Sequence, residues 1–168
     1  MKIGRKARWA IALSSVVATG LVVVTVLTRP VAPDVTFKTV TGKDLSMQSL
    51  RGKVVWVNFW ATSCPTCIEE MPDLIDTYQR FKPLDFEVIA VAMSYDPLNY
   101  VVNYKDAAKL PFPVVADARG EVAQAFGNVS LTPTAILVDK QGGILKTIVG
   151  IPDFEEMHAL LTKETARQ

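Results

Sequence analysis

Two cysteines, Cys64 and Cys67, are the only ones in this 168-residue chain, and they stand three apart in Cys64-Pro65-Thr66-Cys67. They follow an apolar, strand-like run, Val54-Val55-Trp56-Val57-Asn58-Phe59-Trp60. A helix beginning here puts Cys64 at its N-terminus, where unpaired backbone N–H groups and the helix dipole favour a thiolate, and Cys67 one turn later. A nucleophilic thiolate with a resolving thiol one turn away is what disulfide exchange requires, and such a pair can cycle between dithiol and disulfide. Three other uses compete. A structural disulfide across this spacing closes so short a loop that it constrains the unfolded chain little. A metal site needs two further ligands, and the one histidine, His158, is distant in sequence, leaving carboxylates as the alternative. Two inert buried thiols are the third.

The elements that must position the pair can be read in order. A β-rich start, Val35–Phe37 and Val40–Leu45 with a turn at Gly42, reads as a hairpin ahead of the Val54–Trp60 strand. After Cys64 a helix is expected to about Phe81, with Ile68, Met71, Leu74, Ile75 and Tyr78 on its apolar face and Pro72 bending it. A strand Phe86–Ala92, a helix around Asn99–Lys109, a short strand Val114–Ala116 and a helical stretch Glu121–Phe126 follow. The chain then gives a strand Thr134–Val138, a turn at Asp139-Lys140-Gln141-Gly142-Gly143, a strand Ile144–Val149 and a helix from about Asp153 to Lys163. Alternating β and α segments, then a hairpin and a helix, predict an α/β fold with a mixed sheet covered on both faces. Trp56 and Trp60 share one face of the central strand by its period of two and are expected in the core, with Trp60 near the cysteines.

The N-terminus bears on location. Trp9 to Leu27 is a run of 19 uncharged, mostly apolar residues, long enough to cross a bilayer as a helix. Lys2, Arg5, Lys6 and Arg8 precede it and only Arg29 follows closely, so residues 1–8 are expected in the cytoplasm and the remainder outside. A cleaved signal peptide is the rival, since Ala18-Thr19-Gly20 has small residues; cleavage there would leave the apolar Leu21–Leu27 on the mature chain, which favours an uncleaved anchor. Residues 28–33, with Pro30 and Pro33, read as a short stiff tether, and residues 34–168 as one domain of 135 residues, enough to bury a core without disulfide staples. Of the 18 basic residues five precede Asp34, leaving 13 against 17 acidic and a net charge of −4, which makes nucleic acid an unsuitable partner.

Several stretches together resemble the thioredoxin superfamily, and within it the membrane-anchored TlpA/ResA/CcmG-like (DsbE-like) thiol-disulfide oxidoreductases. They are Asn58-Phe59-Trp60-Ala61-Thr62-Ser63-Cys64-Pro65-Thr66-Cys67, Glu70-Met71-Pro72, and Leu131-Thr132-Pro133-Thr134 before a hydrophobic strand ending Val138-Asp139. The resemblance covers nearly all of Asp34–Gln168 and implies a thioredoxin-like fold with an N-terminal hairpin and a βα insertion over Tyr95–Phe126. Two departures stand out. Ser63 occupies a place where the family usually has tryptophan, which removes an aromatic wall beside the nucleophile. Asn58 occupies the place of a buried aspartate that serves the resolving cysteine in thioredoxins, and Glu70, matching an acidic residue of ResA-like proteins, is the candidate to replace it.

On this resemblance Cys64 attacks a disulfide of a partner protein, Cys67 resolves the mixed disulfide, and Cys64–Cys67 is the disulfide that results. Partial burial would raise the Glu70 carboxyl towards neutrality and let it take the Cys67 proton, whereas Glu69 is a solvated neighbour. Pro133 is expected in cis, turning the Thr132 backbone towards a bound peptide, with Pro65 and Thr66 completing the substrate surface. No cofactor is expected. The implied partners are disulfide-containing proteins, a membrane dithiol donor and the bacterial inner membrane, with the catalytic domain facing the periplasm or cell exterior. The Pro65-Thr66 dipeptide between the cysteines is one seen in the cytochrome c maturation branch, although that branch's Gly-Val-x-Gly-x-Pro-Glu pattern is absent around Pro133. Two other functions stay open. A peroxidase on this fold wants threonine or serine where Ala61 stands, and a copper-binding module would use both cysteines with His158.

Overall fold

The computed structural model describes residues 29–167, so the basic segment 1–8 and the apolar run 9–27 lie outside the described residues. Among the described residues no helix is long and apolar enough to cross a membrane. The sheet is built outward from β3 (Val54–Trp60), whose seven residues are all buried, as expected of a strand covered on both faces. It pairs in parallel with β4 (Phe86–Ala92), Val54 opposite Phe86 and Trp60 opposite Ala92, and β4 pairs in parallel with β5 (Val114–Ala116). On its other side β3 pairs antiparallel with β6 (Thr134–Val138), Phe59 opposite Thr134, and β6 pairs antiparallel with β7 (Ile144–Val149). The five-stranded order is therefore β5-β4-β3-β6-β7, the mixed sheet expected from the pattern.

The pleat of β3 divides the core in two. Val54, Trp56 and Trp60 face a layer containing α1 (Pro65–Phe81), α2 (Leu98–Ala107) and α4 (Phe154–Thr165), through Met71, Leu74, Tyr78, Val101, Met157 and Leu161 among others. Val55, Val57 and Phe59 face the opposite layer, where Phe37, Leu50, Val122 and Phe126 pack; Val122 belongs to α3 (Glu121–Ala125). The N-terminal hairpin is β1 (Thr36–Lys38) with β2 (Asp44–Ser46), shorter and later than the expected Val35–Phe37 and Val40–Leu45. The reason lies in Thr39, whose hydroxyl donates to the Lys43 carbonyl and accepts from the Lys43 N–H, so residues 39–43 close a turn instead of extending. Gly42 supplies the left-handed backbone, at φ 81°, that this turn needs. The hairpin docks on the β5 edge through an antiparallel bridge between Thr39 and Val115.

Val31 and Ala32, read from the sequence as tether, already engage the fold: Val31 bridges Gly143, and the Ala32 N–H donates to the Gly142 carbonyl at 2.9 Å. At the other end, Asp153 caps α4 with one carboxylate oxygen accepting the Glu155 and Glu156 N–H groups.

Candidate active site

Helix α1 starts where the sequence implies. Cys64 occupies its N-cap with extended backbone (φ −97°, ψ 105°), and Pro65 follows at the first helical position, where its missing N–H costs nothing. The helix buries Cys67, Glu70, Met71, Leu74, Thr77, Tyr78 and Phe81, a stripe at spacings of three and four, and continues through Pro72. It ends at Phe81 with Lys82 as C-cap, and Lys82–Leu84 tightens into a single 3-10 turn before the left-handed Asp85 turns the chain into β4.

Cys64 and Cys67 form a disulfide with their Cα atoms 5.3 Å apart. The two sulfurs differ in access: Cys64 is half-buried, whereas Cys67 is 0 % exposed. Cys64 Sγ accepts the Cys67 backbone N–H at 3.3 Å, and Thr66 Oγ1 lies 3.4 Å away. Backbone donor, hydroxyl and helix N-terminus all favour negative charge on the Cys64 sulfur. Pro65 and Thr66 are exposed beside it, as is Ser63, so no bulky side chain walls off the sulfur on that side.

One turn beyond Cys67 on the same buried face, Glu70 is 2 % exposed. Burial raises its carboxyl from 4.5 to about 7, against the lowering effect of a hydrogen bond from Asn58. Asn58 Nδ2 donates to Glu70 Oε1 at 3.0 Å, and Asn58 Oδ1 accepts from Trp56 Nε1 at 3.2 Å. A central β-strand residue thus fixes the carboxyl of a helix, while Glu70 Oε2 has no hydrogen-bond partner among the described residues. Glu69 is exposed, as expected. Replacing Asn58 with alanine is expected to push the Glu70 carboxyl further above 7 and to strand the Trp56 N–H. The cavity and the lost hydrogen bonds should together cost about 2–4 kcal/mol in denaturant unfolding. An unchanged Glu70 titration by NMR in that variant would break the link.

The second wall of the site comes from β6. Because Phe59 pairs with Thr134, the residues just before β6 lie beside the end of β3 that leads into the cysteine turn. The Thr132–Pro133 bond is cis, as the resemblance implied. A third segment, between β4 and α2, reaches both: Tyr95 Oη lies 3.3 Å from Thr132 Oγ1, and Asp96 accepts hydrogen bonds from Thr62. The pair thus lies beyond the carboxyl end of β3, whose parallel neighbour β4 runs into the bracing segment, the usual position for sites on such sheets. Asn58 as a bridge, Tyr95 and Asp96 were not singled out from the sequence, because their partners lie 12 to 37 residues away. A polar Asn58 in an otherwise apolar central strand was the one available signal.

His158 is not part of this constellation. Its Nε2 lies 2.8 Å from Thr77 Oγ1 and its Nδ1 3.4 Å from Arg80, near the far end of α1, and burial followed by the Arg80 charge lowers its pKa. Thr77 is ten residues beyond Cys67, about 15 Å along a helix, so the ligand set of the copper-binding alternative is not assembled.

Residues 29–161 match a family model described as Redoxin. The chain is 33 % identical over 134 residues to the thiol-disulfide oxidoreductase ResA of Bacillus thuringiensis subsp. konkukian, covering 80 % of this chain and 76 % of that protein. A solution structure from Neisseria meningitidis, assigned as a thioredoxin, superimposes with a TM-score of 0.74 at 42 % identity, covering 79 % of this chain and 88 % of that one. A crystal structure of a thioredoxin-family thiol:disulfide interchange protein from Chlorobium tepidum TLS gives 0.75 at 28 % identity, covering 83 % and 98 %.

Proposed function

This chain belongs to the Redoxin family and is a ResA/CcmG-like thiol-disulfide oxidoreductase of the thioredoxin superfamily, and from that premise we propose that it reduces disulfides in partner proteins outside the cytoplasm. The observation that carries the reading is the asymmetry of the pair: Cys64 reachable at a helix N-cap, Cys67 wholly buried one turn from a carboxyl that titrates near 7. Cys64 thiolate attacks one sulfur of the partner disulfide, and the partner's other sulfur leaves as a thiolate and takes up a proton. Cys67 then gives its proton to Glu70 carboxylate and attacks Cys64 Sγ, which releases the second partner thiol and closes the Cys64–Cys67 disulfide. Two electrons pass to the partner, and a membrane dithiol donor restores the pair. The Thr132 backbone ahead of β6 pairs with the extended segment that carries the partner disulfide, beside Pro133, Pro65 and Thr66.

The run 9–27 supports an uncleaved anchor in a bacterial inner membrane, with the catalytic unit facing the periplasm or cell exterior. Resistance of the full-length protein to alkaline extraction from membranes is the expected result, and release into the soluble fraction counts against it. For the partner we favour a protein whose cysteine pair must be reduced before haem attachment, which the Pro65-Thr66 dipeptide between the cysteines supports. Loss of holo-cytochrome c in a deletion strain, restored by added dithiothreitol, is the expected phenotype; normal cytochrome levels remove that assignment.

Direction is tested by the reduction potential of the full-length protein, equilibrated against glutathione or dithiothreitol. A value near or below about −250 mV is expected of a reductase, and one above about −180 mV would make it an oxidase or isomerase.

A further inference from the structure

We infer that Asp96 is a positioning residue for the reaction at Cys64, holding the turn ahead of the nucleophile so that the cysteine stays in the N-cap of α1. The inference rests on the reading of Cys64 as the attacking thiol. Asp96 lies between β4 and α2 and is 8 % exposed. Both oxygens of its carboxylate are engaged by one residue: Oδ2 accepts the Thr62 backbone N–H at 2.7 Å, and Oδ1 accepts the Thr62 hydroxyl at 2.6 Å. These are short, charge-assisted bonds of the stronger kind.

The anchor is itself fixed. The Asp96 N–H donates to the Met93 carbonyl at 2.9 Å, and the Met93 N–H donates to the Trp60 carbonyl at 3.0 Å, so the brace is tied to the last residue of β3. Thr62 sits two residues before Cys64, within a turn closed by the Cys64 N–H on the Ala61 carbonyl at 3.1 Å. Ala61, at the start of the turn, is fully buried, and the Cys64 carbonyl accepts the Cys67 and Ile68 N–H groups, so Thr62 and Ser63 are the stretch between two fixed points. Ser63 is small and exposed, and Thr62 is only half-buried. The Cys64 sulfur meets the Cys67 N–H only while Cys64 keeps its extended N-cap backbone, which the helix holds through the Cys64 carbonyl and the turn before it holds through the Cys64 N–H.

Charge alone gives the opposite expectation. A carboxylate close to a thiolate disfavours it, so removing Asp96 for its charge would lower the Cys64 pKa, whereas removing the restraint raises it. Glu70 on α1 and Tyr95 on the Asp96 loop are neighbouring titratable groups, and the variants below leave both in place.

The test is the pH dependence of iodoacetamide alkylation of Cys64 in the full-length protein carrying Cys67→Ser. Asp96→Ala is expected to raise the alkylation midpoint by about one pH unit and to slow attack on a protein disulfide at neutral pH by about tenfold. Asp96→Asn, whose amide can accept the Thr62 N–H and donate to its hydroxyl, should recover most of both. A midpoint that falls in both variants would assign Asp96 an electrostatic effect only, and one that stays put while the melting temperature drops would assign it stability only; either overturns the inference. If Asp96→Ala does not fold, Thr62→Val removes the hydroxyl bond alone, and a folded Thr62→Val protein with an unchanged midpoint overturns it as well. Failure of the parent reading looks different, because Cys64 would then be unreactive without any change at Asp96.

Discussion

With serine at position 67, the full-length protein should attack a partner disulfide and then stall, accumulating a mixed disulfide through Cys64 that survives non-reducing electrophoresis. Cys67 is the sulfur placed to release the partner, one turn into α1 and without exposed surface, and serine cannot perform that attack. Turnover is expected to fall by about 10³-fold or more, and Cys64→Ser should be equally inactive yet trap nothing. The contrast between the two variants carries the test. A mixed disulfide that forms in Cys64→Ser and not in Cys67→Ser would reverse the order of attack. Activity that survives Cys64→Ser would remove the pair from the chemistry altogether.

Glu70 leads to the second large effect, in stability and in rate. Its carboxyl titrates at about 7 in the folded protein against 4.5 as a free side chain, so between those values the folded state holds a proton that the unfolded chain has lost. Stability is therefore greatest below about pH 4.5 as far as this group is concerned, and it declines as pH rises through 7. The total loss is about 3 kcal/mol for a carboxyl this deeply buried. Glu70→Gln abolishes the decline, so the variant should be the more stable protein at pH 8, with the two urea midpoints converging at pH 4. In disulfide reduction the sign reverses. Above pH 7 Glu70 is ionised and can take the Cys67 proton, so the variant should lose about 10²-fold in the resolving step at neutral pH, with its rate rising only where the thiol itself ionises. Equal pH–rate profiles for the two proteins would leave Glu70 a buried carboxyl with no part in proton transfer.

Much of this arrangement was legible from the chain because its signals are local. The bounds of β4, β5, β6 and β7 agree with the runs read from β-branched and apolar residues, and the cysteines begin a helix where proline and an apolar stripe follow them. The hairpin differs from its sequence pattern because Val40 reads as strand, whereas the neighbouring Thr39 hydroxyl closes a turn onto Lys43. Side-chain bonds of this kind compete with ladder formation and leave no periodicity behind. Asp96 leaves no signal in the sequence for a related reason. An aspartate between a strand and a helix reads as ordinary loop polarity, and only the packing of β4 against β3 brings it to Thr62, 34 residues away. Glu70 was singled out by its match to a family pattern, but the amide that holds it, Asn58, registered in the sequence as a missing aspartate rather than as a contributor.

The unequal exposure of the two sulfurs also constrains the kinetics of a full cycle. In the oxidised protein Cys67 has no accessible surface, so an incoming dithiol must attack Cys64. That is the sulfur which, once reduced, must also meet the substrate. Electron donor and electron acceptor therefore compete for one face of one atom and cannot form a ternary complex. Steady-state kinetics should be ping-pong, giving parallel double-reciprocal lines as either reactant is varied, with each reactant inhibiting competitively against the other when in excess.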